Sequence, residues 1–344
     1  MSWSFADDLA AIDAAFADDW HRLAGARLFV TGGTGFIGRW LLEALRFADG
    51  RYGLDLRVTT LTRDPAALAA RAPHLAGHPG FRFVAGDVLS LAPDRERYTH
   101  VIHAATDASA KLTAEQPALM FDTIVTGTRN ALDLAAASGA RVLFLSSGAI
   151  YGAQPWDVAH IGEDFAGGPD PRNVGNVYAE AKRAAEMLCA IHGRTRGLEV
   201  ATARIFAVLG PLLSLDTHFA AGNFIRDAIA GRTIRVEGAG TAVRSYLYAA
   251  DLTAWLLAML VRAPAGTTYN VGSEEAVSIA ALAERTAGVL GGAGHEVLGR
   301  PDAGWNLGRY VPSTALIRRE LNVRATVGLD EAIRRTAMWN GWDK

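Results

Sequence analysis

The chain has 344 residues, half of them hydrophobic, so it can bury a large core as one big domain or two unequal ones. A formal net charge of -2, with no run of Lys or Arg, argues against nucleic acid or an anionic membrane as the main partner and favours small-molecule chemistry. The single cysteine, Cys189, excludes an intrachain disulfide and predicts no metal site.

The N-terminal segment predicts a helix rather than a targeting signal. Apolar residues recur at spacings of three or four across residues 5–23, which indicates a helical extension packed on the core or on a sister subunit. The start of the chain is acidic where a signal peptide would be basic, and no uncharged apolar run reaches roughly 18 residues. These features predict a cytoplasmic protein without a membrane anchor.

A short apolar run from Arg27 to Thr31 then breaks into glycines, and helical spacing resumes at Leu41. Gly32 allows a sharp turn, Gly35 lets a pyrophosphate approach the backbone, and Gly38 lets the following helix close onto the sheet. The pattern predicts the strand, phosphate loop and helix of a dinucleotide-binding fold. The loop residues expected to contact the cofactor are Gly32, Thr34, Gly35, Phe36, Ile37 and Gly38.

Strand and helix patterns alternate along the next part of the chain. The predicted strands are residues 56–62, 81–85, 101–105, 141–146 and 200–206, and the predicted helices are 65–72, 114–138 and 176–192. Such alternation predicts an α/β fold with a Rossmann doubly wound parallel sheet.

Beyond Gly210-Pro211 the alternation fades into shorter elements. These are residues 219–231, 234–236, 247–250, a helix over 251–261 and a last helix over 329–339. We expect an N-terminal helical extension (1–25), a dinucleotide-binding domain (26–206) and a smaller α+β C-terminal lobe (207–344) with segments that return to the core.

The end of the second strand predicts which dinucleotide binds. An acidic side chain there would bind the adenosine ribose, whereas a cationic one accommodates a 2'-phosphate. Thr62 stands where the acid would be, and Arg63 offers a planar bidentate donor. This favours NADP over NAD, the alternative being that Arg63 is a solvated loop charge. Asp87, after the third strand, is placed to reach the adenine edge or is a plain loop residue.

Three residues predict hydride chemistry. Tyr178 and Lys182 lie four apart on one helix and therefore share a face, and Ser147 follows the apolar strand before that helix. An ammonium close to a phenol favours the phenolate, so Tyr178 could exchange a proton with a hydroxyl or ketone while Lys182 also holds the nicotinamide ribose. Ser147 would share the hydrogen bond to the reacting oxygen.

The chain resembles the extended short-chain dehydrogenase/reductases, specifically the nucleotide-sugar epimerase, dehydratase and reductase group, over about residues 26–342. The motifs that carry the resemblance are residues 31–38, Gly86-Asp87-Val88, His103-Ala104-Ala105, Gly127-Thr128-Arg129-Asn130, residues 145–152, Tyr178 with Lys182, Arg204-Ile205-Phe206 with Gly210-Pro211, and residues 244–251.

The resemblance implies a nucleotide-diphosphate sugar bound between the lobes, with Arg244 near the diphosphate. It places Ser147, Asn223 and Arg309 with Arg244 at the substrate. It adds Asp87, Val88, Ala104 and Ala105, together with Tyr178 and Lys182, to the cofactor site. It also implies a homodimer formed through the helices at 114–138 and 176–192.

Departures from the family pattern favour some reactions over others. Members that dehydrate across C5 and C6, or that decarboxylate a uronic acid, carry one or two acidic residues where this chain has Gly148 and Ala149. Without that carboxylate, 4,6-dehydration loses its usual acid/base pair. Two family asparagines are replaced by Ile124 and Ala207, and a common tyrosine by Leu209, so substrate placement is expected to be unusual.

The sequence leaves several functions open in a definite order. A 4-keto-(deoxy)sugar reductase comes first because of the NADP signal at Thr62 and Arg63, and a 4-epimerase type enzyme follows closely. A 4,6-dehydratase or decarboxylase ranks lower. A reductase of non-sugar carbonyls shares the Thr-Arg ending, but Arg244 and Gly210-Pro211 speak against it. A catalytically idle dinucleotide-binding relative ranks last, because it has no chemical need for Ser147, Tyr178 and Lys182.

Overall fold

The computed structural model describes residues 3–93, 96–106, 110–216, 219–300 and 308–343. The helices are α1 (Phe5–Phe16), α2 (Phe36–Tyr52), α3 (Pro65–Arg71), α4 (Pro73–Ala76), α5 (Ala110–Glu115), α6 (Pro117–Ser138), α7 (Val177–Arg196), α8 (Ala220–Ile229), α9 (Ala249–Arg262), α10 (Ile279–Leu290), α11 (Ala315–Leu321) and α12 (Leu329–Trp339). The strands are β1 (Arg27–Thr31), β2 (Arg57–Thr62), β3 (Phe81–Ala85), β4 (His100–His103), β5 (Arg141–Ser147), β6 (Val200–Ile205), β7 (Val208–Leu209), β8 (Ile234–Val236), β9 (Val243–Arg244), β10 (Leu247–Tyr248), β11 (Thr268–Val271), β12 (Val277–Ser278) and β13 (His295–Val297).

A seven-stranded sheet forms the centre of the molecule, in the order β11-β6-β5-β4-β1-β2-β3. Every neighbouring pair in it is parallel. The chain builds β2 and β3 on one side of β1, and β4, β5 and β6 on the other, so the strand order reverses between β1 and β4. In doubly wound sheets this reversal opens a crevice at the carboxyl ends of the strands, where ligands bind. The predicted α/β fold with a Rossmann parallel sheet is confirmed.

Helices cover both faces of the sheet. α6 and α7 pack together on one face, over a core that includes Phe144 and Leu132. On the other face α9 packs against β5 and β6, and α2 and α1 pack against α9. Every residue from Ala249 to Leu260 is buried, as expected for a helix that is apolar nearly all round. The sheet is therefore held between two helical layers, which fixes the positions of its strand ends.

The N-terminal helix α1 packs on the core through apolar and polar contacts. Leu9, Ile12 and Phe16 of α1 are buried. Asp8 is fully buried as well, and its carboxylate accepts hydrogen bonds from the Tyr248 hydroxyl and from Arg335, whose Nη1 lies 2.6 Å away. The contacts join the start of the chain to β10 and α12.

Several predicted element boundaries are wrong. The helix predicted over residues 5–23 ends at Phe16, and residues Ala17–Leu23 form a 3₁₀ turn. The helix predicted over 114–138 is divided before Pro117, because the residue preceding a proline disfavours helical geometry. The helix predicted to end at His192 continues to Arg196, where Gly197 closes it with a φ of +65°.

The C-terminal part adds three two-stranded pairings, β7 with β10, β9 with β12 and β8 with β13, around α8, α10 and α12. The isolated bridge between Arg244 and Tyr310 brings the chain after residue 308 back beside β9. Among the helices of the described residues, none is long and apolar enough to span a bilayer.

Candidate functional site

The glycine loop lies at the switch point of the sheet. Gly32 has a φ of +70°, and a Cβ on it would lie 2.5 Å from the carbonyl carbon of Ala104 at the end of β4. A Cβ on Gly38 would overlap the carbonyl oxygen of Gly32. Gly35 caps the N-terminus of α2. Backbone that leaves no room for side chains and ends in a helix N-terminus fits a dinucleotide pyrophosphate.

A neutral histidine lies beneath this loop. His103 Nδ1 lies 2.7 Å from the Thr31 hydroxyl and its Nε2 lies 3.1 Å from the Thr128 hydroxyl. Burial, and to a lesser extent the charge of Lys182, lowers the pKa of His103 to about 3. The Thr31 oxygen also accepts the N–H of Ala105 at 3.1 Å, which ties the end of β1 to the end of β4. This network fixes the floor of the crevice without adding charge.

The residues predicted to choose the dinucleotide are arranged at the end of β2. Thr62 is buried, and its hydroxyl accepts the N–H of Asp64 at 3.3 Å. Asp64 accepts the N–H of Ala67 at 2.9 Å and so caps α3. Arg63 is exposed and makes no hydrogen bond or ion pair with the described part of the chain. The carboxylate of Asp64 thus caps α3, and the Arg63 guanidinium is available to bind a ligand.

Asp87 and Val88 form the start of a 3₁₀ turn after β3. One carboxylate oxygen of Asp87 accepts the N–H of Leu89 at 2.9 Å, so the side chain caps this turn. Asn130 of α6 donates to the carbonyl of Val88 at 2.8 Å. Gly127 lies against Val88, since a Cβ on it would be 2.8 Å from a Val88 methyl. These contacts give Asp87 a structural role beside the predicted one at adenine.

Ser147 lies at the end of β5, where its hydroxyl accepts the N–H of Ala149 at 3.1 Å. The phenols of Tyr178 and Tyr310 lie near the same hydroxyl, and the Tyr310 hydroxyl donates to the Ile205 carbonyl at 3.4 Å. Burial raises the pKa of Tyr178, and the nearby Ser147 hydroxyl opposes that shift. The structure therefore brings the predicted Ser147 and Tyr178 together, and it adds a second phenol.

Lys182 is 3% exposed, and its amine lies against β5, the strand that carries Ser147. Its Nζ donates to the Leu145 carbonyl at 2.7 Å and to the Thr106 hydroxyl at 2.8 Å. Burial lowers the pKa of Lys182 to about 7. The predicted neighbour Tyr178 lies one helical turn away on the same face of α7, but these two contacts, rather than the phenol, hold the ammonium in place.

The C-terminal part contributes a cavity of about 340 Å³ beside this centre. It is lined by Gly152, Ala153, Arg244, Gly308, Arg309 and Tyr310. Arg244 donates to the carbonyls of Val243, at 2.9 Å, and Gly308, and its guanidinium lies 5.9 Å from the centre of the Tyr310 ring. Arg309 donates to the Ala159 carbonyl at 3.1 Å. The structure thus brings Arg244 and Arg309, both predicted at the substrate, to one cavity.

Asn223 is placed differently from the two arginines. It lies in the first turns of α8, where its side-chain oxygen accepts from Arg226 at 3.2 Å. It is not among the described residues that line the 340 Å³ cavity. A larger cavity, of about 770 Å³, lies along α7 and β6 and is lined by none of the predicted site residues.

Sequence reasoning missed three side chains of this site. Tyr310 is packed on Phe206, with ring centres 4.5 Å apart, and lies near Ser147. Phe206 packs against Gly148, and Thr106 accepts a hydrogen bond from Lys182. Each had a weak signal, because Tyr310 follows the predicted Arg309, Thr106 follows the predicted Ala105, and Phe206 belongs to a motif that carries the family resemblance.

Comparison with known proteins identifies the family. The model of the NAD dependent epimerase/dehydratase family matches residues 28–272. UDP-glucuronic acid decarboxylase 1 of Xenopus tropicalis is 30% identical over 310 residues, which cover 90% of this chain and 71% of the relative. UDP-glucuronic acid decarboxylase 6 of Arabidopsis thaliana is 31% identical over 258 residues, 75% of this chain and 72% of the relative.

Solved structures agree with this assignment. A dTDP-glucose 4,6-dehydratase from Streptomyces venezuelae with NAD bound superposes with a TM-score of 0.76 at 26% identity, covering 91% of this chain and 96% of that one. UDP-glucose 4-epimerase from Thermotoga maritima with UDP-glucose gives a TM-score of 0.77 at 21% identity, covering 91% and 98%, and so shares the fold. The chain belongs to the NAD-dependent epimerase/dehydratase family, the nucleotide-sugar-modifying enzymes of the extended short-chain dehydrogenase/reductase type.

Proposed function

We propose that the protein is a nucleotide-diphosphate-sugar oxidoreductase, an NADP(H)-dependent reductase of a 4-keto-(deoxy)sugar. The observation that carries this proposal is the strand end after Ser147, which presents Gly148 and Ala149 where a carboxylate would be needed for chemistry at C5. A side chain at position 148 would require Phe206 to move, since a Cβ there would lie 2.6 Å from its ring. Proton transfer is left to the Ser147 and Tyr178 hydroxyls.

The proposed roles follow from the positions of the three side chains. The nicotinamide supplies or accepts the hydride when the cofactor is bound. Ser147 hydrogen-bonds the oxygen on the reacting carbon, and Tyr178 donates its phenolic proton to that oxygen during reduction. The ammonium of Lys182 donates to the Thr106 hydroxyl and the Leu145 carbonyl, and its remaining N–H would bind the nicotinamide ribose. Its charge would stabilise the phenolate that forms when Tyr178 gives up its proton.

The substrate is proposed to lie over the 340 Å³ cavity with its diphosphate near Arg244. Arg244 and Arg309 both line this cavity and both carry planar donors that suit phosphate oxygens. Tyr310 lies between Arg244 and Ser147, so a sugar that joins the diphosphate to the reacting oxygen would pass along its ring. Asn223 remains a proposed contact on the α8 side.

Decarboxylation and dehydration rank below reduction although the matched relatives are named for them. Both reactions also transfer a proton at C5: dehydration removes one there, and decarboxylation adds one after CO₂ has left, so each calls for a further acid or base beside the sugar. Gly148 and Ala149 supply none, and the space at Gly148 is filled by Phe206. We therefore propose a redox reaction that needs only the hydroxyl and ammonium groups of Ser147, Tyr178 and Lys182.

The proposed cofactor is NADP, with NAD as the alternative. Support comes from the unpartnered guanidinium of Arg63 and from the absence of an acid at position 62. A 2'-phosphate would give this guanidinium a bidentate partner, and Thr62 has no negative charge to repel it. The family description and the dTDP-glucose 4,6-dehydratase structure with NAD bound favour the alternative, NAD.

A 4-epimerase is the second candidate, because it uses the same three side chains with a tightly held oxidised cofactor. The family name and the UDP-glucose 4-epimerase fold favour it. The two reactions differ in whether the cofactor exchanges between turnovers.

For either reaction we propose a homodimer formed through α6 and α7, since the apolar side chains of Phe121, Met187 and Ile191 are exposed on these packed helices.

Mass spectrometry of the purified protein, followed by a turnover assay, tests the proposal. The reductase predicts a site that is empty or partly filled as isolated and that takes up NADPH, which is then oxidised by a nucleotide-linked 4-keto-6-deoxysugar in an absorbance assay at 340 nm. NAD retained at full occupancy, with exchange of galactose and glucose forms, would establish the epimerase instead. Release of CO₂ from UDP-glucuronate would contradict both.

A further inference from the structure

The amine of Lys182 has a defined set of partners. Nζ has three N–H groups when protonated, and two of them point to the Leu145 carbonyl and to the Thr106 hydroxyl. The ring of Phe144 lies below, 5.0 Å from Nζ. The third N–H has no hydrogen-bond acceptor among the described residues.

Thr106 can act towards Lys182 only as an acceptor. Its hydroxyl hydrogen is donated to the Ala105 carbonyl at 2.7 Å. A hydroxyl has a single hydrogen and two lone pairs, so the lone pairs are what Lys182 meets. The Leu145 carbonyl is an acceptor as well. Two acceptors and no donor favour an ammonium over a neutral amine, because hydrogen bonds from a charged donor are the stronger ones.

This preference matters because the surroundings oppose the charge. Burial lowers the pKa of Lys182 to about 7, while the carboxylate of Glu186 on its own helix acts in the opposite direction. The Cys189 thiol is uncharged near neutral pH, because burial raises its pKa. Glu186 is itself paired with Arg204 at 2.8 Å. From β4, His103 faces this region as a neutral ring, since its pKa is lowered to about 3. Near neutral pH the charge of Lys182 thus depends on its hydrogen-bond acceptors.

We propose that Thr106 is a positioning residue of this site, which holds the Lys182 ammonium against β5 and keeps its third N–H directed into the crevice for the nicotinamide ribose. The proposal rests on the hydride chemistry proposed above, in which Lys182 must be charged to stabilise the Tyr178 phenolate. Thr106 acts through Lys182 and need not contact cofactor or substrate. It follows Ala104 and Ala105, so the short segment after β4 that packs on the Gly32 loop also holds Lys182 in position.

The sequence offers a direct probe of Lys182, because the chain has only three lysines, Lys111, Lys182 and Lys344. Lysine labelled with ¹³C at Cε gives three NMR signals in the cofactor-free protein, and Lys111→Arg and Lys344→Arg variants assign them. Titration of the Lys182 signal then measures its ionisation without any turnover. This readout stands even if no nucleotide sugar is converted, so it separates failure of the positioning role from failure of the proposed function.

Thr106→Val removes the acceptor and keeps the shape of the side chain, whereas Thr106→Ser keeps the hydroxyl. We expect the Lys182 titration to move to lower pH by about one unit in Thr106→Val and to return close to the wild-type value in Thr106→Ser. The alkaline loss of kcat should move in the same direction, because activity that needs the ammonium is lost as pH rises through the pKa of Lys182. Thr286→Val is the matched control: that buried hydroxyl donates to the Leu282 carbonyl in α10.

An unchanged Lys182 titration in Thr106→Val would overturn the proposal. If Thr106→Val does not fold, as judged by its thermal transition, Thr106→Ala serves as the second variant, and the same two outcomes apply. A shift of equal size in Thr286→Val would also overturn it, because the effect would then be a general consequence of losing a buried hydroxyl.

Discussion

The ring of Phe206 occupies the space that a side chain on Gly148 would need, with a Cβ there 2.6 Å from the ring atoms. Phe206 in turn packs on Tyr310 with the two ring planes tilted by 33°, and Tyr310 lies near Ser147. The aromatic pair thus lies against one side of the strand end that carries Ser147 and fills the space beside Gly148. This contact is consistent with the proposed reaction, which needs no carboxylate at position 148.

Gly148→Ala should lower the free energy of unfolding by about 1–3 kcal/mol, because the added methyl group overpacks the contact with Phe206. Phe206→Leu in the same chain should recover part of that loss by making room. Urea unfolding of the two single variants and the double variant measures the coupling between the positions. Additive effects would show that the close contact with Phe206 does not limit position 148.

Arg63→Ala should weaken NADP binding by about 10- to 100-fold and NAD binding much less, since the guanidinium is expected to bind the 2'-phosphate through charge-assisted hydrogen bonds. Binding is measured by quenching of intrinsic fluorescence. Arg57→Ala is the matched control, because Arg57 is an exposed arginine at the opposite end of β2, paired with Asp55. Equal weakening of both dinucleotides by Arg63→Ala would remove the basis for NADP.

Stability should fall as the pH is lowered below about 6.5, in part because of His103. Its pKa in the folded protein is lowered to about 3 by burial, whereas an unfolded histidine titrates near 6.5. Between those values the unfolded chain binds a proton that the folded chain does not, which costs up to about 1.4 kcal/mol per pH unit. Urea unfolding at pH 7, 6 and 5 should show this slope, and His103→Gln should flatten it. An equally steep slope in the variant would assign the effect to other groups.

Asp8→Ala should destabilise the protein by about 3 kcal/mol, because it leaves the Tyr248 hydroxyl and the buried side of Arg335 without their partner. Thermal and urea unfolding measure the loss. Asp18→Ala, at an exposed position on the following turn, is the control and should stay within about 0.5 kcal/mol of wild type. Equal stabilities for the two variants would mean that the N-terminal helix is held by its apolar contacts alone.

Local patterns in the sequence were sufficient for the sheet and for much of the site. The glycine spacing predicted the loop after β1, because the turn and the close backbone contacts there require residues without a side chain. The bounds of α12 were also predicted correctly. The Tyr178 and Lys182 spacing placed both on one face of α7. These features depend on residues close together in the chain.

Contacts between distant segments could not be predicted in this way. Thr106 meets Lys182 across 76 positions, and Phe206 meets Tyr310 across about a hundred, with no periodicity to reveal either pair. For the same reason, the sequence predicted Tyr178 as the neighbour of the Lys182 ammonium but not the two groups that accept its hydrogen bonds. Neither the Leu145 carbonyl nor the Thr106 hydroxyl is visible as a partner of Lys182 until the strands are assembled.

Tyr178→Phe tests the central claim most directly, because it removes the proposed proton donor and keeps the ring. The measurement is the rate of nicotinamide absorbance change at 340 nm on mixing the cofactor-loaded enzyme with its nucleotide sugar, together with the dinucleotide Kd. We predict a loss of at least about 100-fold in the rate, the contribution typical of general acid–base catalysis, with the Kd changed by only a few-fold. A rate within a few-fold of wild type would contradict the account.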